Sequence, residues 1–372
     1  MRSGVRFAAA VLLVPALARA DRPSGVCVDV NVDFQPAVEP MQIVAWVEDA
    51  AGTYVDTVYI TQKTGRYGLG NRPGRLDFNT GSERGDTFPY GRREQTFPVW
   101  AHRHGVTFPL VKFQNGDENN LSHPFAQSSP EMPPPYCRPI QPGEVEFDSG
   151  TCASATFTDK GTFSSDETSK YPPRSDLRRR PEDSPSVDMY REINPFDAVS
   201  RATPPAGMLA TATWAAPQRV DYGNYVLFVE TSKTYDFNAT YNATTYPAPS
   251  NIPWAEYGQP WRGQPSIVYR VPFTVAMTST EATIDTYEGY GDPTGQSGTL
   301  NPPDATIETT TPGSGASRLQ LVSSGGSMYR VRVRSTAEFD GTPPATVEPP
   351  TMTQITSSSA TIAFIAPGDD GT

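Results

Sequence analysis

Cysteine is nearly missing from this 372-residue chain, with residues only at Cys27, Cys137 and Cys152. Three cysteines cannot form a disulfide-knotted scaffold, so a hydrophobic core must carry the stability. Histidine is equally scarce, at His102, His104 and His123. Long apolar runs are missing too: Phe7 to Ala18 is the most extended, too short to cross a bilayer, so no membrane span is expected. Basic charge is in deficit. The net charge of −11 argues against a nucleic-acid partner, because binding phosphates requires a basic face. The GxSxG, HExxH, CxxC, GxxxxGK and GxGxxG patterns do not occur. Their absence favours a non-catalytic reading without excluding a glycosidase, whose carboxylates have no local signature.

Proline is abundant, with 38 residues, about twice the roughly 5% usual share. Long helices are therefore not expected; short strands and long loops are. The 17 Phe, 17 Tyr and 5 Trp supply enough large side chains for a sizeable core. MRSGVRFAAAVLLVPALARA, residues 1–20, joins Arg2 and Arg6 to an apolar run and an Ala18-Arg19-Ala20 cleavage site. It reads as a secretory signal peptide, which implies a periplasmic or extracellular protein. Its removal takes away three arginines and brings the net charge to −14.

The segment Met41 to Lys63 predicts a β-hairpin: two apolar-rich runs joined by EDAAGT, with Gly52 free to adopt positive φ. Both faces of its first strand are apolar, so both should be covered. VCVDVNVDF, 26–34, alternates without exception and predicts a half-buried strand. Met208 to Ala215, Gly223 to Phe237 and Ile267 to Met277 continue the pattern, and the doubled apolar faces make the Gly223 strand a sheet neighbour of the hairpin. The resulting fold class is all-β: a β-sandwich over 21–278, with long loop insertions at 64–95 and 114–203. One or two short helices are expected after Ser184-Pro185 and Asn194-Pro195. Residues 279–340 read as a smaller β unit with Tyr329, Val331 and Val333 inward and Arg330, Arg332 and Arg334 outward, and 341–372 as a linker and an incomplete module.

Several residues could carry chemistry. Phe97 to Val111 reads as a strand, which would put His102 and His104 on one face; with His123 they could bind zinc or copper, or simply hydrogen-bond loop carbonyls. Asp117, Glu118 and Asn119, or Asp285, Asp292 and Asp304, could line a calcium loop, although both sets lack the DxDxDG order. Trp254, Tyr257 and Trp261, with Arg262, could stack on the sugar rings of a polysaccharide, or could cap the core. Asn238 and Asn242 each begin an N-x-T sequon. Cys137 and Cys152 lie close enough in sequence for a small disulfide loop, worth about 3 kcal/mol in the chain-entropy model.

TSSSATIAF, 356–364, and the APGDDG turn, 366–371, together resemble the start of a bacterial fibronectin type III domain, with Phe364 where that family has a buried Trp. The resemblance implies a sandwich module of which only about 30 residues are present out of ~100. IVAWVEDAAGTYVDTVYITQK, FPVWAHRHG, GNYVLFVETSK and IVYRVPFTV are similar to a family of predicted periplasmic β-sandwich proteins of unknown function. Genes of that family are often found near flavin-transfer systems, an association and not an activity, and the covalent flavin acceptor pattern of such systems is absent here: SSAT at 358–361 has Ile355 in place of Asp. No cofactor is expected, with calcium or zinc as the candidate ions. The expected function is a secreted, non-catalytic binding, adhesive or structural role at the cell envelope or outside the cell. The alternative is a secreted hydrolase or metal-dependent enzyme with its site in the long loops.

Overall fold

A computed structural model describes residues 20–39, 41–65, 68–71, 92–113, 161–172, 199–201, 204–242, 244–245, 263–309, 311–324, 326–339, 351–353 and 361–363. The strands are β1 (Val26–Phe34), β2 (Met41–Asp49), β3 (Tyr54–Thr61), β4 (Phe108–Phe113), β5 (Gly161–Ser169), β6 (Val199–Arg201), β7 (Ala210–Ala215), β8 (Gly223–Lys233), β9 (Ile267–Val275), β10 (Thr280–Ile284), β11 (Gly289–Tyr290), β12 (Val322–Ser324), β13 (Ser327–Tyr329), β14 (Val331–Phe339), β15 (Thr351–Thr353) and β16 (Thr361–Ala363). Two short helices accompany them, α1 (Gln62–Gly65) and α2 (Pro98–Arg103).

Two sheets carry the fold, one ordered β10-β14-β1-β7 and the other β11-β9-β8-β2-β3-β6, antiparallel throughout except for the parallel β3–β6 pair. The chain is thus an all-β, sandwich-like fold. Alternation in β1 sends Val28, Val30, Val32 and Phe34 inward, against Ile43, Ala45 and Val47 of β2, Leu227 and Val229 of β8, and Tyr269 and Val271 of β9. The hairpin forms as expected, with Gly52 at φ 81° in its turn, and β2 pairs with β8 along its length.

The larger sheet is buried on both faces, which is why β2 is covered nearly end to end. Val44, Trp46, Ile60, Phe228 and Val268 point away from the sandwich into a second core, closed by Phe97, Val99, Trp100 and Ala101 around α2, by Phe108 and by Tyr171. Each of these large side chains contributes about 1.5–3 kcal/mol when fully removed from water.

Three expectations need correction. Residues 98–103 form helix α2 instead of a strand. Pro98 is favoured at the start of a helix, and the Val99 and Trp100 N–H groups donate at 3.3 and 2.9 Å to Glu230, a cap from β8 that no local pattern reveals. Residues 199–201, expected at the end of a short helix, form β6 beside β3. Residues 279–340 are not a separate β unit, because β14 pairs with β1 from Val26↔Phe339 to Phe34↔Val331 and β10 extends the same sheet. Tyr329, Val331 and Val333 are buried as expected. β15 and β16 pair antiparallel, while the signal-like 1–19, the Ser184-Pro185 segment, and most of 64–95 and 114–203 lie outside the described residues.

Candidate functional site

A cleft of about 170 Å³ opens beside α2 on the outer side of the larger sheet, lined by Glu94, His102, Thr168, Ser169, Lys170, Tyr171, Gly295 and Gln296. Tyr171 is its anchor. The Tyr171 hydroxyl donates to the Glu94 carbonyl at 2.6 Å and accepts from the Phe97 N–H at 3.0 Å. Its ring lies where a Cβ on Gly70 would have to be, and burial raises its pKa well above the ordinary tyrosine value.

The opposite wall is the 292–298 loop, organised by Asp292. Its Oδ1 accepts from the Thr294 N–H and hydroxyl, and its Oδ2 from the Ser297 N–H and hydroxyl. Burial works against this carboxylate, but the four donors outweigh it and hold the pKa below the usual value. Gly295 (φ 78°) lies against the Glu94 backbone, and a Cβ on Gly298 would collide with His102 Cβ. The loop thereby brings Gln296 Nε2 to 2.9 Å from Glu94 Oε2.

His102, in α2, and His104, its C-cap residue, have different roles. His104 is structural: its Nδ1 accepts from the Val106 N–H at 3.0 Å, which makes Nε2 the N–H that donates to the Lys170 carbonyl at 2.8 Å. Its ring sits 4.5 Å from Trp100, and burial lowers its pKa to about 4. His102 lines the cleft. Its Nδ1 donates to the Pro98 carbonyl at 2.9 Å, which leaves Nε2 with an open lone pair. Beneath α2, Glu230 is fully buried, accepts from Ser266 Oγ at 2.6 Å as well as from the helix N–H groups, and has a pKa raised by burial to about 7.

No protein-family model matches the chain, and no match was found among the curated proteins or the solved structures. The site must therefore be read from its own chemistry.

A second feature lies where β8 ends. Among the described non-glycine residues, Tyr235 alone has positive φ, at 59°, and it is 57% exposed. Phe237 is 42% exposed, with its ring 6.0 Å from that of Tyr235. Between them the chain is locked: Asp236 Oδ2 accepts from Arg318 Nη2 at 2.7 Å, from Arg318 Nε at 3.1 Å and from the Gly315 N–H at 2.8 Å. The remaining Arg318 donors reach the Thr231, Gln264 and Pro265 carbonyls, so this buried pair is fully satisfied. Burial opposes the Asp236 charge, but the Arg318 guanidinium and the hydrogen bonds prevail and lower its pKa.

Of the sequence candidates, His123, Cys137, Cys152, Trp254, Tyr257, Trp261, Arg262 and the 117–119 acidic run lie outside the described residues. The 251–262 segment rejoins the described fold at Gly263, where a Cβ would lie 2.9 Å from the Asp236 carbonyl. The described histidines do not share a strand face, because residues 98–103 are helical. Asp285, Asp292 and Asp304 do not assemble a cation site: Asp304 accepts from Tyr290 and Thr306, Asp292 is the loop organiser, and the described residues contain no group of three or more ligands placed for a metal. Both sequon asparagines form turns whose Oδ1 accepts from the backbone, with Nδ2 bonded to carbonyls. Cys27 is an exposed free thiol. Glu94, Ser169, Lys170, Tyr171 and Gln296 were not singled out by sequence; the GDPTGQSG turn, with Thr and Ser two and five residues after Asp292, is the signal that could have located Gln296.

Proposed function

We propose that this chain is a secreted, non-catalytic β-sandwich protein that binds a carbohydrate or another cell-surface component at the envelope or outside the cell. The observation that carries the reading is the Tyr235–Phe237 pair. A left-handed backbone at a non-glycine residue costs about 1–2 kcal/mol, and two solvent-facing aromatic rings contribute little to the core. That cost has a purpose if the rings meet a ligand, since aromatic faces stack on the apolar faces of sugars. The Asp236–Arg318 pair makes the platform rigid, which limits the ordering cost of binding. The signal-like first 20 residues support the location.

The test is retention of the purified chain on insoluble polysaccharides and on isolated cell-envelope material. The wild type is expected to be retained, and Tyr235→Ala with Phe237→Ser to lose roughly tenfold or more in affinity, as for loss of a stacking platform. Equal retention of wild type and variant, or no retention on any of these materials, would overturn the proposal.

A further inference from the structure

One edge of the smaller sheet is open. β7 ends the order β10-β14-β1-β7, and the bond from the Ala216 N–H to the Val28 carbonyl, at 2.8 Å, sets its phase. The N–H and C=O groups of Ala210, Ala212 and Trp214 face β1, so those of Thr211, Thr213 and Ala215 face away from the sheet. Among the described residues no backbone group meets them. The Thr211 and Thr213 hydroxyls bend back to donate at 2.7 Å to Asp33 and Asn31 of β1, which keeps both side chains off the open edge.

Exposed strand edges invite pairing, and proteins blunt them with charge, proline, a bulge or brevity. The other outer strands follow this rule: β6 has three residues, β11 has two, and β10 carries Glu281. β7 does not. Its six residues include no charge and no proline, and its register with β1 runs without a shift from Asp29↔Ala215 to Phe34↔Ala210.

We propose that β7 is a pairing surface for a second copy of this chain, the two β7 strands running antiparallel across a two-fold axis at Thr213 and joining the two smaller sheets into one. Thr213 then meets the partner's Thr213, and Thr211 meets the partner's Ala215, so every outward N–H and C=O of the strand gains a partner. Three observations favour a second copy over a strand of another protein. The pairs formed on the exposed face are small side chains throughout, Thr with Thr and Thr with Ala. Residues 202–218 contain no charged side chain although 19% of the chain is charged, and two copies that each carry a net charge of −11 need such a neutral line along which to meet. Met208 and Leu209, 58% and 48% exposed, lie just before the strand, and the same register sets Leu209 opposite the partner's Pro217. Pairing thus gives this exposed apolar corner an apolar cover.

Sedimentation equilibrium of the full chain over a dilution series tests the proposal. The wild type is expected to pass from two chains to one on dilution. Thr213→Lys sets two ammonium groups opposite each other and should weaken association roughly tenfold or more with the unfolding temperature unchanged, because the residue is exposed. Thr213→Asp should do the same. An equimolar mixture of the two variants should recover association, which a folding defect would not allow. Met277→Lys, between β9 and β10 at the opposite edge of the smaller sheet, should pair as the wild type does. A wild type that is a single chain at every concentration, a Thr213→Lys variant that pairs as tightly as the wild type, Lys and Asp variants that stay separate when mixed, or loss of pairing in Met277→Lys would each overturn the proposal.

Discussion

Two buried titratable groups flank α2 and act in opposite directions. Burial raises Glu230 from 4.5 to about 7, so the folded chain keeps a proton that the unfolded chain releases between those values. Its contribution to stability is full below about pH 4.5 and is lost as pH rises towards about 7. Burial lowers His104 from 6.5 to about 4, so its contribution is present above about pH 6.5 and is lost as pH falls towards about 4. Each displacement is worth about 3 kcal/mol, and across their shared range the two nearly cancel. Denaturant unfolding across pH 4–7 checks this. Glu230→Gln should expose a stability that climbs by about 3 kcal/mol with pH, and His104→Asn one that falls by a similar amount. Flat profiles in both variants would contradict the assignment. A second prediction at this scale concerns Arg318→Met, which leaves Asp236 buried without its cation and should cost about 3–5 kcal/mol in urea unfolding. Neither group was legible in the sequence, because Glu230 lies within an apolar strand and Arg318 in a Gly-Ser turn, each meeting partners from distant segments.

At the scale of elements, period-2 patterns read correctly wherever one or both faces of a strand were apolar. β1, the β2–β3 hairpin, β8 and β9 all follow them. The error at 97–107 has a physical source: six residues are too few to show a helical period, and the decisive cap comes from β8. Site residues were harder still to see, because the cleft is built by loops. Glu94 precedes the helix, Lys170 follows β5, and Gln296 sits in an Asp292-centred turn, so only the fold unites them. The His102 pairing with the Pro98 carbonyl belongs to the helix as well, since a strand would not bring residue i−4 into reach.

For the whole molecule, the smaller sheet is closed by strands far apart in the sequence. β1 and β14 are antiparallel neighbours at the centre of the smaller sheet, and β10 pairs only through β14. A chain ending at residue 278 would therefore lose half of that sheet and expose Val28, Val30 and Val32. The expectation is loss of the cooperative unfolding transition in circular dichroism; a 21–278 fragment melting like the full chain would show that 279–340 is dispensable. The sequence pattern predicted the strands of this region and their inward residues but assigned them to a unit of their own, because strand pairing between residues 26 and 339 has no local signature.

The most direct test of the binding account replaces Tyr235 with glycine, measuring ligand retention and thermal unfolding on the same preparations. Glycine adopts the φ of 59° without strain, so the account predicts weaker retention together with an unfolding temperature equal to or above that of the wild type. A variant that is retained like the wild type would contradict it, and so would one that loses retention only because it is less stable.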